Sequence, residues 1–282
     1  MDRSIIFSLI IIILLGVSYY FWQEHQASLV LVETESAVEI ENEQQVADKN
    51  VEILYPVPEV SDTQIGAKEE NVEPALVANE FIIPELNNSD AVIEEAFAEI
   101  HELENLLRIF IFRDFIRHIV VTIDNITAKK LPRRFVFTQS PKDSFMVQTS
   151  EDEKIFIIKE MNYSRYNLYL NFLNKVSNEQ LVSIYIKFYP LFQQAYDELG
   201  YSGRYFNDRL VEVIDHLLQT PEVDKQIKLV RPKVFYQFLD DELENLSSGQ
   251  KILIRIGPEN GSQMKARLKA IKQLLTSLTR AQ

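Results

Sequence analysis

The hydrophobic and polar positions divide the chain into three stretches with different patterns. Residues 5–22 contain no charge, and these eighteen residues would cover about 27 Å as an α-helix, which matches a thin bilayer core. From Gln23 to about Asn88 neither a helical nor an alternating period persists. After Ser89 helical and strand-like apolar runs follow, and from Tyr163 the helical spacing continues almost to the end of the chain. The pattern therefore predicts a membrane anchor, a tether and a globular domain.

The first stretch is predicted to be a retained transmembrane helix. The aromatic residues Tyr19 to Trp22 stand where a cleaved signal peptide would need small residues, and they are typical of an interfacial aromatic belt. Arg3 precedes the helix, whereas no Lys or Arg follows it before Lys49. The positive-inside rule then places the N-terminus in the cytoplasm and everything after Trp22 outside it. We expect a single-pass protein that contacts the lipid bilayer through residues 5–22.

Negative charge is concentrated in the second stretch. Between Gln23 and Glu80 there are 14 acids against Lys49 and Lys68, a net charge of −12. High charge with few aromatic residues is typical of disorder, so residues 23–88 are predicted to be a disordered acidic tether. From Phe81 onward 27 acids and 26 bases nearly balance. The chain has no cysteine, which excludes disulfides, thiolate metal sites and cysteine nucleophiles.

The third stretch, residues 89–282, predicts a mainly α-helical (α+β) domain with a small antiparallel β element. Ser89 and Asp90 are expected to cap the first helix, Ser177 and Gln180 have capping-box spacing, and Pro258 suits the first position of the last helix. The predicted helices cover 89–107, 113–127, 177–200, 205–219, 240–256 with a break near Gly249, and most of the chain after Pro258. Runs at 135–137, 145–147 and 155–158 predict two or three antiparallel strands, and 230–238 is expected to be extended.

Six runs of this domain resemble a known family. They are V-V-T-I-D-N-I (Val120 to Ile126), L-P-R-R (Leu131 to Arg134), N-Y-S-R-Y (Asn162 to Tyr166), Y-P-L-F-Q-Q-A-Y-D-E-L-G-Y (Tyr189 to Tyr201), Y-F-N-D-R-L-V-E-V-I-D-H-L-L (Tyr205 to Leu218) and S-G-Q-K-I-L-I-R-I-G-P-E-N (Ser248 to Asn260). With them the chain resembles domain-of-unknown-function family 3014, an uncharacterised family of proteobacterial membrane-anchored proteins. The resemblance implies a Gram-negative inner-membrane protein that faces the periplasm, and it implies no particular activity.

The helix predicted at 207–219 carries the candidate catalytic residues. Its polar face gathers Asp208, Glu212, Asp215 and His216, of which Asp208 and Glu212, and Glu212 and His216, are four residues apart. Side chains at that spacing lie side by side on a helix and could serve acid–base chemistry or a metal. Any solvated helix face offers the same pattern, however, and a helical zinc site usually brings two histidines. We therefore predict no bound metal.

Two further groups are candidates for binding. An aromatic and arginine-rich group could stack on sugars or hold carboxylates, although packing at the edge of the core is the simpler explanation. It comprises Tyr163, Arg165, Tyr166, Tyr196, Tyr201, Arg204, Tyr205 and Arg209. A basic patch has a local excess of four positive charges over Asp114, Asp124 and Asp143, and it could attract anionic lipid, acidic wall polymers, a partner protein or the tether. It comprises Arg113, Arg117, Lys129, Lys130, Arg133, Arg134 and Lys142.

These observations lead to two hypotheses about function. The leading one is a non-enzymatic cell-envelope domain for interaction or scaffolding. The alternative is a protein directed at the cell wall, which binds peptidoglycan or polysaccharide or hydrolyses it with the acidic and histidine face of helix 207–219. The sequence has no G-x-S-x-G motif. We expect no cofactor and no nucleic-acid partner, and we expect an envelope protein or a cell-wall polymer as the partner.

Overall fold

The computed structural model describes residues 52–58, 82–98, 104–132, 134–135, 137–150, 154–223 and 225–278. The predicted anchor at 5–22 and most of the acidic tether lie outside these residues. Within the described part of the chain, no helix combines the length and the apolar character needed to cross a membrane.

The prediction of a mainly helical domain with a small antiparallel sheet is confirmed. The helices are α1 (Ser89–Ala98), α2 (Glu104–Leu107), α3 (Phe115–Asn125), α4 (Met161–Ser164), α5 (Asn167–Lys175), α6 (Asn178–Asp197), α7 (Phe206–Leu218), α8 (Asp241–Glu244), α9 (Ser248–Arg255) and α10 (Pro258–Ser277). Ser177 and Gln180 form the predicted capping box at the start of α6, and Pro258 begins α10. A 3₁₀ turn at Leu86–Asn88 precedes α1.

Four short strands form one antiparallel sheet in the order β1 to β4. They are β1 (Val147–Thr149), β2 (Phe156–Ile158), β3 (Lys228–Val230) and β4 (Gln237–Phe238). Leu229 of β3 pairs with Phe156 of β2 and with Phe238 of β4. Of the three runs from which two or three strands were predicted, those at 145–147 and 155–158 overlap β1 and β2, whereas the described residues of the run at 135–137 form no strand and lie beside an isolated bridge between Thr138 and Phe110.

Helix α7 lies at the centre of the helical core. The long helix α10 packs against α6 and α7, and α3 packs against the same two helices. A smaller apolar cluster lies between the sheet and α9, where Leu229, Phe238 and Ile254 are buried. The apolar face of α7 is therefore enclosed on several sides.

The start of α3 is capped from another helix. Asp114, just before α3, has a left-handed backbone (φ 47°), and its side chain makes no capping hydrogen bond. The carboxylate of Asp90 in α1 accepts instead the N–H groups of Asp114 and Phe115, at 2.7 and 2.9 Å. The predicted role of Asp90 as a cap of its own helix is therefore wrong, because this acid holds α1 against the start of α3.

The break between α8 and α9 lies before Gly249, which stands inside α9. A Cβ atom at Gly249 would lie 2.5 Å from Cδ2 of Leu217 and 2.8 Å from Cγ1 of Ile126. The glycine therefore permits a close approach between α9 and the helices it packs against, and it does not interrupt the helix. The predicted break near Gly249 falls instead at residues 245–247, ahead of the capping box formed by Ser247 and Gln250.

Residues 52–58 lie against the N-terminal end of α7 and are called the docked segment. They belong to the stretch that was predicted as the tether, and they form neither helix nor strand. Their backbone forms hydrogen bonds with residues more than 140 positions away, and Val57 is buried. The sequence analysis did not predict this docking, because local composition carries no signal for such distant partners.

Candidate functional site

The first turn of α7 presents three polar side chains to the docked segment. Tyr205 precedes the helix as its N-cap residue, and Asn207 and Asp208 lie in its first turn. Together Tyr205, Asn207 and Asp208 are called the docking site. A carboxylate in the first helical turn also interacts favourably with the helix dipole, which suits Asp208 to this position.

The docking site binds the backbone of the docked segment. The two carboxylate oxygens of Asp208 accept the N–H groups of Leu54 and Tyr55, at 3.0 and 2.8 Å. The hydroxyl of Tyr205 accepts the N–H of Val57 at 2.7 Å. The side-chain amide of Asn207 donates to the carbonyl of Tyr55 at 2.8 Å. Because Pro56 and Pro58 have no N–H, every backbone N–H from position 54 to 58 has a partner on α7 or its cap.

A partly buried hydrogen-bond network centred on Gln193 holds the start of α7, which carries the docking site. The side-chain oxygen of Gln193 in α6 accepts the Tyr189 hydroxyl and the N–H of Phe206, both at 2.8 Å. The Gln193 amide nitrogen donates to the Asp197 carboxylate at 2.9 Å and to the Arg204 carbonyl at 2.8 Å. With both of its polar atoms bonded, Gln193 can hold only one orientation. It thereby positions the start of α7 relative to α6.

Two buried polar atoms at this place have no hydrogen-bond partner among the described residues. They are Oδ1 of Asn207, whose amide nitrogen already binds Tyr55, and the hydroxyl of Tyr185. The Tyr185 ring lies 5.4 Å from that of Tyr189, and the Tyr189 hydroxyl accepts the backbone N–H of Asn207. Burial raises the pKa of both tyrosines above the ordinary value of 10.0, so both remain neutral donors.

The structure turns the four predicted catalytic residues towards different partners. Asp208 binds the docked segment, and Glu212 pairs with Arg209 at 3.0 Å. Asp215 accepts from Nζ of Lys272 in α10 at 2.6 Å. Among the described residues no group of three or more His, Asp or Glu side chains is arranged to hold a metal. A catalytic role for these residues stays a prediction, but each now has a structural contact that the polar pattern alone did not reveal.

His216 forms the contact that most resembles a nucleophile–base pair. Its Nε2 lies 2.8 Å from Oγ of Ser247, and burial and the nearby Arg209 lower the pKa of His216 below 6.5. The neutral ring can accept the Ser247 proton. However, Ser247 is only 6% exposed, and its Oγ accepts the N–H of Gln250 as the cap of α9. The geometry therefore favours a structural link between α7 and α9.

The predicted aromatic and arginine-rich group divides between two places in the fold. Tyr163 packs under Gly257 at the start of α10, where a Cβ atom would lie 2.6 Å from the ring. Tyr166 is 1% exposed in the core, and Arg165 donates to the carbonyls of Lys142 and Asp143. These three residues hold the region of α4 in place.

Tyr205 belongs to the docking site, and the remaining members gather where α6, α7 and α3 meet. Tyr196 stacks on Tyr201 with ring centroids 4.7 Å apart, and burial raises the Tyr196 pKa to about 12. The Tyr201 hydroxyl donates to the Asp124 carboxylate at 3.1 Å, and Arg204 lies over the Tyr201 ring. Arg209 pairs with the same carboxylate at 3.0 Å and donates to the Asp124 carbonyl. Asp124 is thus the centre of this group.

The predicted basic patch is divided, because its members lie near opposite ends of α3. Arg117 lies in the first turn of α3 and pairs with Glu198, whereas Lys129 lies beyond the far end and donates to the side chain of Asn245 at 3.0 Å. Eleven helical residues, about 16 Å, separate these ends. The other described members, Arg113, Lys130, Arg134 and Lys142, are exposed, and Arg133 lies outside the described residues.

A cavity of about 490 Å³ lies beside the start of α10, between α9 and the chain that follows α7. Ser262 and Lys265 line it with the spacing S-x-x-K. Nζ of Lys265 donates to the Thr220 carbonyl at 2.6 Å and lies 3.8 Å from the Glu222 carboxylate. The lysine is therefore engaged as a cationic donor.

Sequence reasoning missed Asn207, Gln193 and Asp124, which the structure makes central. Asn207 is fully buried although it lies beside the predicted polar face. The sequence offered one hint of this role: Asn207 is an uncharged polar residue that lies between the apolar Phe206 and the charged Asp208. Asp124 lies within V-V-T-I-D-N-I and Arg209 within Y-F-N-D-R-L-V-E-V-I-D-H-L-L, so their ion pair joins two runs that carried the family resemblance.

Comparison with known proteins gives one match. The model of the family described as "Protein of unknown function (DUF3014)" matches residues 115–272, from the first residue of α3 into α10. The match includes the docking site, and the docked segment lies before it. None of the curated proteins and none of the solved structures compared with the chain matches it. Since the family model covers more than half of the sequence, the chain belongs to the DUF3014 family.

Proposed function

We propose that this chain is a single-pass inner-membrane protein whose C-terminal domain lies in the periplasm, binds other polypeptides and is not an enzyme. The membrane part of the proposal is supported by the uncharged stretch at 5–22, the aromatic residues that end it and the placement of Arg3. The acidic residues 23–80 follow this stretch directly.

The observation that carries the binding function is the docked segment itself. The first turn of α7 uses a carboxylate, an amide and a hydroxyl to bind three N–H groups and one carbonyl of an extended chain. Polypeptide is therefore a ligand that this surface accommodates with matched donors and acceptors. In addition, Asp208 and Asp215, two of the four candidate catalytic residues, serve contacts between segments of the chain.

The topology is tested with a reporter. A phosphatase that folds only outside the cytoplasm, fused after Gln282, should be active, and a fluorescent protein that matures only inside the cytoplasm should stay dark at the same position. The opposite pair of results would overturn the periplasmic assignment.

The binding function is tested by site-specific photocrosslinking in intact cells. A photoreactive residue at Ser202, an exposed position three residues before Tyr205, should give discrete adducts with other proteins. The same residue at Lys269, an exposed position on α10, serves as the control. Adducts at neither position, or stoichiometric zinc or manganese in the purified full-length protein, would contradict a non-enzymatic binding function.

A further inference from the structure

We infer that the docking site is a receptor for an extended, proline-containing peptide of a partner protein, and that the docked segment is its displaceable occupant in cis. The inference rests on the proposed function and names the ligand. The ligand class is a polyproline-like segment with the order aliphatic, aromatic, Pro, aliphatic, Pro, as in Leu54 to Pro58.

The hydrogen bonds define which backbone groups a ligand must offer. The site accepts N–H groups at the first, second and fourth positions of the five-residue motif, from Leu54, Tyr55 and Val57, and it donates to the carbonyl at the second position. No bond is needed at the third and fifth positions, where Pro56 and Pro58 stand. Proline there restricts the free peptide to the extended form, so less conformational entropy is lost on binding.

Only some side chains of the docked segment pack against the domain. Val57 is 7% exposed and belongs to the core, and Tyr55 packs at the edge of the core. Ile53 and Leu54, by contrast, are 51% and 58% exposed. Two side chains and four hydrogen bonds form a small contact, so the segment can be released without unfolding the domain.

The occupant in cis also leaves polar groups at the site unpaired. Oδ1 of Asn207 is buried without a donor, although the other atom of the same amide binds the segment. The hydroxyl of Tyr185, beside Tyr189, is likewise buried and unpaired among the described residues. Leaving such atoms unpaired costs free energy. A ligand that supplies a donor to Asn207 gains an interaction that the docked segment does not make.

The docked segment competes with any partner peptide for the docking site. The docked segment is joined to the rest of the domain through residues 59–81, and covalent attachment of a ligand to its receptor typically corresponds to an effective concentration on the order of millimolar. A free peptide of equal intrinsic affinity would therefore bind the intact protein poorly. It should bind well once the segment in cis is weakened.

The test uses full-length protein in detergent micelles and a fluorescent peptide with the sequence of residues 50–60. Val57→Asp places a charge in a buried position and should release the docked segment, so the peptide should bind this variant at least tenfold more tightly than the wild type. Adding Asp208→Asn should weaken that binding at least tenfold. Glu179→Gln, which neutralises an exposed acid in the first turn of α6, should leave it unchanged.

A second probe tests the same bonds without altering the protein. The peptide methylated at the backbone nitrogen of Tyr55 lacks one donor to Asp208 and should bind the Val57→Asp variant at least tenfold more weakly. Equal binding of both peptides, or no binding to Val57→Asp, would overturn the inference even if Ser202 gives crosslinks, which would then report another kind of polypeptide ligand. A wild-type dimer that the peptide dissociates would assign the site to a second copy of the chain and overturn the partner assignment.

Discussion

Arg117 in the first turn of α3 forms a two-pronged ion pair with Glu198, which directly follows α6. Nε of Arg117 lies 2.6 Å from Oε2 of Glu198, and Nη2 lies 3.1 Å from Oε1. The same Nη2 donates to Oδ1 of Asn87 at 2.7 Å. The hydrogen bond from Arg117 holds the pKa of Glu198 below its ordinary value of 4.5. One guanidinium therefore joins three segments that are distant in sequence.

The first prediction concerns the loss of this pair in acid. Because the folded protein lowers the Glu198 pKa, the pair stabilises fully above pH 4.5 and loses its effect as the pH falls through the lowered value. Glu198→Gln should lower the free energy of unfolding by about 0.5–1 kcal/mol at neutral pH, as is usual for a partly exposed pair. The difference from the wild type, measured by denaturant unfolding, should shrink towards pH 3. Glu95→Gln, at an exposed acid of α1, is the control, and a difference that is constant with pH would contradict the prediction.

The second prediction concerns Asp124, whose side chain is 13% exposed and faces Arg209, which is 18% exposed. Asp124→Ala should lower the free energy of unfolding by about 2–3 kcal/mol, because Arg209 would keep a largely buried charge with fewer partners. Asp124→Asn retains an acceptor and should cost less. Thermal unfolding of both variants checks the order. Equal stability of Asp124→Ala and the wild type would show that Glu212 alone satisfies the arginine.

Elements with strong local signals were predictable from the sequence. The capping box at Ser177, the Pro258 start of α10 and the apolar period of α7 depend on residues within one or two helical turns of each other. The sequence therefore predicted the ends and the apolar faces of these helices close to where the structure has them. The runs that form β1 and β2 were also indicated, whereas the extended stretch expected at 230–238 includes β4 and only the last residue of β3.

Features that depend on distant partners were not predictable. The role of Asp90 is set by the start of α3, and that of Gly249 by Leu217 and Ile126, which no local pattern reveals. The same holds for Tyr55 and Val57, whose partners lie in α7 and at its cap. For the candidate site the sequence identified Asp208 and Tyr205 as candidates, but not the docked segment that both of them bind.

The third prediction concerns the close contact at Gly249. Gly249→Ala should destabilise the protein by about 1–2 kcal/mol, because overpacking of about 1–3 kcal/mol exceeds the gain of up to about 1 kcal/mol in helix propensity. The new methyl group would contact the side chain of Leu217 and, at 3.2 Å, the carbonyl of Ile126. Ser262→Ala, at an exposed position of α10, is the control for thermal unfolding. An increase in stability would mean that Leu217 moves aside freely and that the contact does not need glycine.

The last prediction concerns His216 and the pH dependence of stability near neutrality. Burial and the positive charge of Arg209 lower its pKa in the folded protein, while Glu212 opposes them. The unfolded chain therefore takes up a proton first as the pH falls below about 6.5, and the histidine's contribution to stability, complete above that pH, is lost as the pH falls through the lowered folded value.

His216→Gln removes the titrating group and retains a side-chain amide that can bond Ser247. The variant should therefore show a flatter dependence of unfolding free energy on pH between 7 and 5 than the wild type. Nuclear magnetic resonance titration of the wild type should give a His216 pKa below 6.5, and we expect the proton of the neutral ring on Nδ1, which leaves Nε2 to accept from Ser247. A His216 pKa above 6.5 would instead require a protonated ring that donates to Ser247, and stability would then rise as the pH falls.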